Sequence, residues 1–236
     1  MREIVLQDLG VQPYKTVWDY QERLLQQKIT AKRNSTSAPD HLLFVEHPPV
    51  FTLGKNGNEK NLLVTEYILK EKGIEYYHIN RGGDITFHGP QQLVGYPILN
   101  LDNYKTDLGW YLRSLEEVII LTMGEYDLHG QRSQGETGVW IDASVKGRER
   151  KICAMGIRCS RWVTMHGFAF NVNVDLNYFN LITPCGIQNK QVTSLEKELG
   201  KKISMNEVKE KVVRNFEKVF EARIAISNEQ VLIQNA

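Results

Sequence analysis

Three cysteines could supply a nucleophile, and one of them lies in a segment that would expose its side chain. Cys185 sits between Pro184, which has a fixed φ, and Gly186, which tolerates unusual backbone angles. Cys153 and Cys159 fall in an apolar, strand-like pattern and are predicted to be structural. Because most cysteines are buried and inert, the pattern alone makes Cys185 a candidate and no more.

A second segment gathers polar side chains between glycines: Arg81, Gly82, Gly83, Asp84, Ile85, Thr86, Phe87 and His88, followed by Gly89 and Pro90. Glycines allow a ligand to approach the backbone closely and can leave amide donors free to bind it. The same composition is also typical of a tight hairpin whose polar residues cap the turn. The residues alone leave both interpretations open.

Six basic residues against a single acidic one, Glu149, give one stretch a local charge of +5, although the whole chain carries only +1. Such a run is usually a solvated hairpin, but it could also steer an acidic protein partner. No aromatic stacking platform or nucleic-acid motif accompanies it, which argues against nucleic acid. The basic residues are Lys146, Arg148, Arg150, Lys151, Arg158 and Arg161.

Composition narrows the kinds of site and the cellular locations that fit this sequence. Three cysteines without a CxxC pair predict free thiols, and six histidines without an HExxH motif or helical i, i+4 pairing predict no metal site. We expect no organic cofactor. The first eight residues contain acidic groups and no apolar signal region, and no apolar run is long enough to span a membrane. These features predict a cytoplasmic protein.

Apolar periodicity predicts three long helices. The first begins after Pro13 and ends before residues 34–37, the second is capped by Asp107, and the third starts at a capping box formed by Ser204 and Glu207. Strands are predicted at 41–46, 50–53, 74–79, 138–141, 151–158 and 164–174. With no repeat or long linker, the pattern favours one α/β domain over residues 1–236, with helices packed on a mixed, largely antiparallel sheet.

Several segments between residues 41 and 190, in matching order and spacing, resemble the octanoyltransferases of lipoate biosynthesis, which are related to biotin and lipoate protein ligases. The matching segments are 46–54, 81–90, 92–97, 138–140, 151–157 and 166–172, followed by Pro184-Cys185-Gly186. The resemblance implies the ligase catalytic-domain fold. One position departs from the pattern: a glycine is common after His-Gly-Pro, where this chain has Gln91.

The resemblance implies roles for particular residues. The family's catalytic cysteine and lysine correspond to Cys185 and to Lys151, which opens a Lys-x-x-Ala-x-Gly strand. His88 is a further candidate, to orient a group or shuttle a proton, and backbone amides near Gly82-Gly83 or Cys185-Gly186 could bind an oxyanion. The segment 81–88 is implied to line the substrate pocket, together with Ala154, Met155, Gly156, Gly167, Phe168 and Ala169.

The implied reaction moves an octanoyl group from acyl carrier protein to a lysine of lipoyl domains through a thioester on Cys185. An ordinary thiol has a pKa of about 8.5, and a lysine at about 4 Å supplies roughly 4 kcal/mol, more than a shift of about two pKa units requires. The implied acceptors are lipoyl domains of 2-oxoacid dehydrogenase complexes and the glycine cleavage H protein. We expect a monomer that binds neither nucleic acid nor membrane.

Three alternatives stay open. An ATP-dependent lipoate ligase would share the scaffold and the lysine but activate a free acid without a cysteine. A thioesterase would use a similar thiol and pass the acyl group to water. A non-catalytic module would bind acyl or lipoyl proteins and leave Cys185 inert.

Overall fold

The three predicted long helices and the predicted strands are present, together with further helices and strands that the sequence pattern did not indicate. The computed structural model describes residues 2–183 and 190–227. Its helices are α1 (Tyr14–Arg33), α2 (Glu66–Glu71), α3 (Leu108–Gly124), α4 (Leu195–Leu199) and α5 (Met205–Phe220). Its strands are β1 (Arg2–Val11), β2 (Asp40–Glu46), β3 (Val50–Leu53), β4 (Glu75–His78), β5 (Ile85–His88), β6 (Gln92–Ile98), β7 (Val139–Ile141), β8 (Arg150–Ser160), β9 (Val163–Asn171), β10 (Gln191–Val192) and β11 (Ala222–Ile226).

The strands form two sheets, where the sequence pattern predicted one. The larger has the order β10-β8-β9-β6-β2-β1-β11, with β7 also paired to β8, and the smaller has the order β4-β3-β5. The chain leaves the large sheet at Pro48-Pro49, because a proline donates no hydrogen bond to a ladder. Neighbours β2, β6, β9 and β8 are antiparallel, while β1 and β11 are parallel at the far edge. The predicted mixed, largely antiparallel sheet with packed helices is therefore confirmed.

The predicted helix starts are also confirmed. The carboxylate of Asp107 accepts a hydrogen bond from the Trp110 amide at 2.9 Å, and the Ser204 hydroxyl accepts one from the Glu207 amide at 3.5 Å. Only this half of the expected capping box is seen, because the Glu207 carboxylate is paired with Lys211 at 2.8 Å. In residues 2–183 and 190–227, no helix combines the length and apolarity needed to cross a membrane.

Helices cover both faces of the large sheet. Helices α3 and α5 pack on one face over a core that includes Phe44, Phe168 and Phe170. Helix α1 packs on the other face against Val94, Met165 and neighbouring side chains of β6 and β9. The small sheet has its own apolar core. Beyond the end of α1, the small sheet lies over this same face of the large sheet.

A buried ion pair ties α1 to β2. Lys28 Nζ lies 2.7 Å from Asp40 Oδ1, and both side chains are almost fully buried. Lys28 also donates to the Ala38 carbonyl, and Asp40 accepts from the Asn100 amide and the Tyr104 hydroxyl. The Lys28 ammonium and the Asp40 carboxylate are therefore each hydrogen-bonded to further groups besides one another.

Replacing Lys28 with methionine should lower the free energy of unfolding by about 3–5 kcal/mol, because it leaves the Asp40 carboxylate buried without its counter-ion. Urea unfolding measures the loss. The matched control is Lys15→Met, which removes the half-exposed pair with Asp19 and should cost less than about 1 kcal/mol. Equal losses in the two variants would contradict the buried pair's role.

Candidate active site

A cleft lies between the large and small sheets. Segment 81–88, which ends in β5, forms the wall of the cleft, and β8 with β9 forms its floor. The cleft holds about 830 Å³ of space, part of it open to solvent. It is lined by Tyr14, Arg81, Gly83, Asp84, Ile85, Thr86, His88, Val94, Tyr96, Thr137, Lys151, Ala154, Met155, Gly156, His166, Gly167, Phe168, Ala169, Asn171, Phe179 and Val192.

The floor of the cleft is made by small residues that pair across two strands. Ala154 on β8 lies opposite Ala169 on β9, and Gly156 lies opposite Gly167. Paired residues in antiparallel strands project from the same face of a sheet, so these four positions together leave a trough. Larger side chains at these positions would fill the space that the cleft occupies.

Two of these glycines are required by close backbone contacts. A Cβ at Gly156 would lie 2.8 Å from the Gly82 carbonyl oxygen, and one at Gly167 would lie 2.2 Å from the Gly95 carbonyl oxygen. Both obstacles are backbone atoms, which cannot rotate away. Glycine at 156 therefore lets segment 81–88 approach β8.

Arg81 holds the wall that covers this floor. Its guanidinium is buried, and Nη2 donates to the carbonyl and the hydroxyl of Thr52 at 2.8 and 3.0 Å. The next amide, of Gly82, donates to the Ile157 carbonyl at 2.9 Å and joins the wall to β8. The Gly82 amide is therefore already used, which argues against its expected role as an oxyanion donor.

Gln91, the departure from the family pattern, adopts a left-handed backbone conformation with φ +64°. A glycine would take this conformation without strain, which explains its frequency at that position. Here the loop is held by three contacts. The Gln91 amide donates to Glu46 at 2.7 Å, its carbonyl accepts from the Asn173 amide at 3.0 Å, and its side chain accepts from Asn173 at 2.9 Å.

His88 lies at the inner end of the cleft and is held as a neutral ring. The Gln92 amide group donates to the Phe87 carbonyl and to Asn171, so its oxygen accepts from His88 Nδ1 at 2.9 Å. Burial, with nearby His47, lowers the pKa of His88 to about 3. A ring with so low a pKa carries no second proton near neutral pH, which favours a hydrogen-bonding role over the expected proton shuttle.

His166 also lines the inner end, although the sequence did not single it out. Its Nε2 lies 3.0 Å from the Asn80 side-chain oxygen, and its backbone amide donates to the Gln21 side chain at 3.0 Å. Burial, with Arg81 and Arg158 nearby, lowers the pKa of His166 to about 3. The ring is therefore neutral.

Lys151 lies near the start of β8, six residues before Ile157, which is the partner of His166 on that strand. Its Nζ is 4.6 Å from the centre of the Trp140 ring, and Lys190 Nζ is 4.7 Å from the same centre. Lys190 is also paired with Glu136. Burial alone would raise the pKa of Glu136, but hydrogen bonds from Lys190 and Ser133 hold it below its usual value. The site thus contains two ammonium groups around one indole ring and a carboxylate beside them.

Cys185, the expected nucleophile, lies outside the described residues, between Thr183 and Lys190. The other two thiols fit the structural role predicted for them. Cys153 is fully buried, and burial raises the pKa of its thiol well above the ordinary value. Burial also raises the pKa of the Cys159 thiol. Neither is suited to be a thiolate near neutral pH.

The structure brings most of the expected pocket residues to the cleft, with two exceptions. Phe87 is buried on the other side of β5, where it packs against Phe51, Tyr178 and Phe179. Gly82 makes its contact with β8 instead of lining the cleft. Strand alternation accounts for Phe87 only in part: Thr86 and His88 on either side of it line the cleft, but so does Ile85, which lies on the same side of the strand as Phe87.

Several lining residues were not predicted, although four of them had a detectable signal. Val94, Tyr96, His166 and Asn171 lie inside matched segments, and His166 directly precedes the expected Gly167. Tyr14 reaches the cleft from the first turn of α1, where nothing in the sequence pattern distinguishes it from an ordinary core residue.

The expected basic surface is much weaker than its sequence indicates. Arg150 is paired with Asp142 and Glu198 at 2.6 and 2.7 Å, and Arg158 is paired with Glu22. Asp142, Glu198 and Glu22 all lie outside the stretch from residue 146 to residue 161. Their three negative charges reduce its local charge from +5 to +2. The positive stretch mainly joins parts of this chain to each other.

The sequence and the fold have counterparts in known proteins. The family model of the lipoyl protein ligase A/B catalytic domain matches residues 13–217. An octanoyltransferase of Christiangramia forsetii is 55% identical over 94% of this chain and 98% of its own length. One of Flavobacterium johnsoniae is 56% identical over 94% and 99%.

Solved structures agree on the fold. A putative lipoate protein ligase from T. acidophilum superposes with a TM-score of 0.69 at 14% identity, over 96% of this chain and 88% of that protein. A biotin protein ligase from Aquifex aeolicus superposes with a TM-score of 0.52 at 16% identity, over 93% and 70%. The chain therefore belongs to the lipoyl protein ligase A/B catalytic domain family. Its close relatives make it an acyltransferase that transfers octanoyl groups in protein lipoylation.

Acid should destabilise the fold through the buried histidines. Native pKa values of about 3 for His88 and His166 and about 4 for His47 lie below the unfolded value of 6.5. The unfolded chain therefore binds protons first, and stability is lost as pH falls below about 6.5. Between about pH 7 and pH 5, each of the three should cost about 2 kcal/mol.

Urea unfolding at the two pH values tests this expectation. His47→Gln should reduce the pH-dependent loss by about 2 kcal/mol, since it removes one of the groups that titrate. His78→Gln, at an exposed histidine on β4, should leave it unchanged. A loss that is the same in all three proteins would assign the acid sensitivity to other groups.

Proposed function

We propose that this octanoyltransferase takes its octanoyl group from the thioester of acyl carrier protein and passes it, through an acyl-enzyme on Cys185, to a lysine of a lipoyl domain. The observation that carries the proposal is the position of Lys151, at one end of a cleft with a small, apolar floor. Lys190, which lies over the same Trp140 ring as Lys151, is five residues after Cys185. This nearness in the chain supports a Cys185–Lys151 pair.

The first half-reaction forms the acyl-enzyme. The Cys185 thiolate attacks the carbonyl carbon of the donor thioester, the bond from that carbon to the carrier sulfur breaks, and the carrier leaves as a thiol after taking a proton from Lys151. A thioester replaces a thioester, so little bond energy changes. Lys151 stabilises the thiolate before attack and supplies the proton afterwards.

The second half-reaction transfers the acyl group. The acceptor lysine, as a neutral amine, attacks the thioester carbon, the bond to Cys185 breaks and an amide forms. Lys151, left neutral by the first step, takes the proton that the amine loses, which restores the starting ion pair. No nucleotide enters either half-reaction.

The acidic carrier would meet fewer free charges than the sequence suggested. Arg148 shares Asp142 with Arg150 and stays largely exposed, whereas Arg158 is used inside the protein. Lys146 and Arg161 are exposed as well. A short-lived carrier complex needs only modest steering from such a surface. The monomeric state, the cytoplasmic location and the identity of the acceptor domains stay predictions.

Mass spectrometry after incubation with octanoyl carrier protein should show one added octanoyl group. Cys185→Ala should remove the adduct, and Cys159→Ala, at the partly exposed structural thiol, should retain it. An adduct that survives Cys185→Ala would overturn the nucleophile. Transfer that instead requires free octanoate and ATP would favour the ligase alternative.

Lys151→Met should raise the pH at which Cys185 reacts with iodoacetamide by about one to two units, because it removes the cation that favours the thiolate. It should also lower kcat by about 10²–10⁴-fold. Lys146→Met, at an exposed lysine near the same hairpin, is the control and should change neither value. If the alkylation profile of Lys151→Met is that of the wild type, the lysine does not act on the thiol.

A further inference from the structure

His166 interrupts the regular alternation of β9. It has a φ of +59°, a left-handed conformation that is costly for a residue other than glycine, although it lies within a paired strand. Its neighbour across the ladder, Ile157, packs toward the α3 face. His166 contacts Asn80 and Tyr96 on the opposite face instead. The strained backbone is what turns the imidazole into the cleft.

The strain is maintained by partners on the side away from the cleft. Gln21 accepts from the His166 amide, and the Asn80 oxygen accepts from Nε2. The Asn80 amide group donates to Glu22 at 3.1 Å, which fixes the orientation of Asn80, and Glu22 is paired with Arg158. The proton of the neutral ring is therefore on Nε2, and Nδ1 carries a lone pair.

The other ring nitrogen of His166, Nδ1, takes no part in these hydrogen bonds. It is buried and has no hydrogen-bond partner in the part of the chain that the structure describes. The side chain is 1% exposed and lines the inner end of the cleft with Tyr14, His88 and Tyr96. A buried acceptor of this kind is costly unless water or a ligand satisfies it. The inner end is thus polar, whereas the floor that leads to it is apolar.

The distance along the floor corresponds to a short acyl chain. From Ala154–Ala169 to Ile157–His166 the strands advance three residues, or about 10 Å. An extended chain gains roughly 1.2 Å per bond, so the seven carbon–carbon bonds of an octanoyl group span about 8–9 Å. Two more methylenes would add about 2.5 Å and bring the chain end against the imidazole.

We propose that His166 is a specificity-determining residue that limits acyl-chain length at about eight carbons. The apolar floor accepts the methylene chain, and the imidazole with its unpartnered Nδ1 ends it. A longer chain must press its methyl end against this ring, and a methyl group cannot donate a hydrogen bond to Nδ1. The inference rests on the proposed function, since it takes the acyl thioester as the substrate.

The test measures kcat/KM for octanoyl, decanoyl and dodecanoyl carrier protein with a lipoyl-domain acceptor. His166→Gly removes the ring at a position where glycine is unstrained. It should lower the ratio of octanoyl to dodecanoyl activity by roughly ten-fold or more, mainly because dodecanoyl activity rises. His166→Asn, which tolerates the same conformation with a shorter side chain, should lower it by less.

Trp162→Gly is the matched control. Trp162 has a φ of +64° in the same β8–β9 hairpin and is not among the residues that line the cleft, so the change relieves similar strain without enlarging the pocket. Its ratio should equal that of the wild type. An unchanged ratio in both His166 variants, with octanoyl transfer intact in the wild type, would overturn the length limit alone. Absence of octanoyl transfer from carrier in the wild type would instead overturn the proposed function.

Discussion

The antiparallel pairing of β8 with β9 is the interaction on which the site depends. Its register places Ala154 opposite Ala169 and Gly156 opposite Gly167, and no larger residue interrupts the trough. It also fixes Lys151 near one end of the hairpin and His166 toward the other. A slip of one residue would send the small residues to the α3 face and put side chains that now face α3 in their place. Register, more than any single contact, makes the cleft.

The second sheet turns this trough into a cleft. Segment 81–88 can lie over the floor because Gly156 leaves room for the Gly82 carbonyl and because Arg81 is anchored to Thr52. The two prolines after β2 send the chain out of the large sheet to build this cover. The helices support the site from outside, and α1 contributes Gln21 and Glu22 to the chain of hydrogen bonds that holds His166.

Local signals in the sequence predicted most of the fold. Periodicity and caps located α1, α3 and α5, because each has a continuous apolar stripe and a recognisable start. Strands β1, β6, β10 and β11 were missed. Strands β1 and β11 form the parallel far edge, where partners distant in sequence, and not an alternating pattern, stabilise the pairing. The break into two sheets was likewise a long-range outcome.

For the site, the matched motifs predicted the wall and the floor, but of the inner end only His88. Arg81, Gly156 and Ala169 are recognisable because each lies in a short continuous segment that resembles the octanoyltransferases. His166 looks like an ordinary strand residue until its backbone angles and its contact with Asn80 are known. The positive charge of the basic stretch was overestimated for the same reason. Glu22 and Glu198 are far away in sequence and neutralise Arg158 and Arg150 only after folding.

Because one hairpin carries both the apolar floor and His166, covalent bonds fix the number of residues between them. Neither sliding of the two sheets nor motion of the helices changes the number of strand residues between Ala154 and Ile157. Side-chain replacement can adjust this spacing only at its ends. A larger change would require insertion or deletion in both strands by pairs of residues, since an odd number would invert the faces. The acyl-chain length that such a scaffold accepts should therefore change in evolution by steps of two strand residues, not gradually.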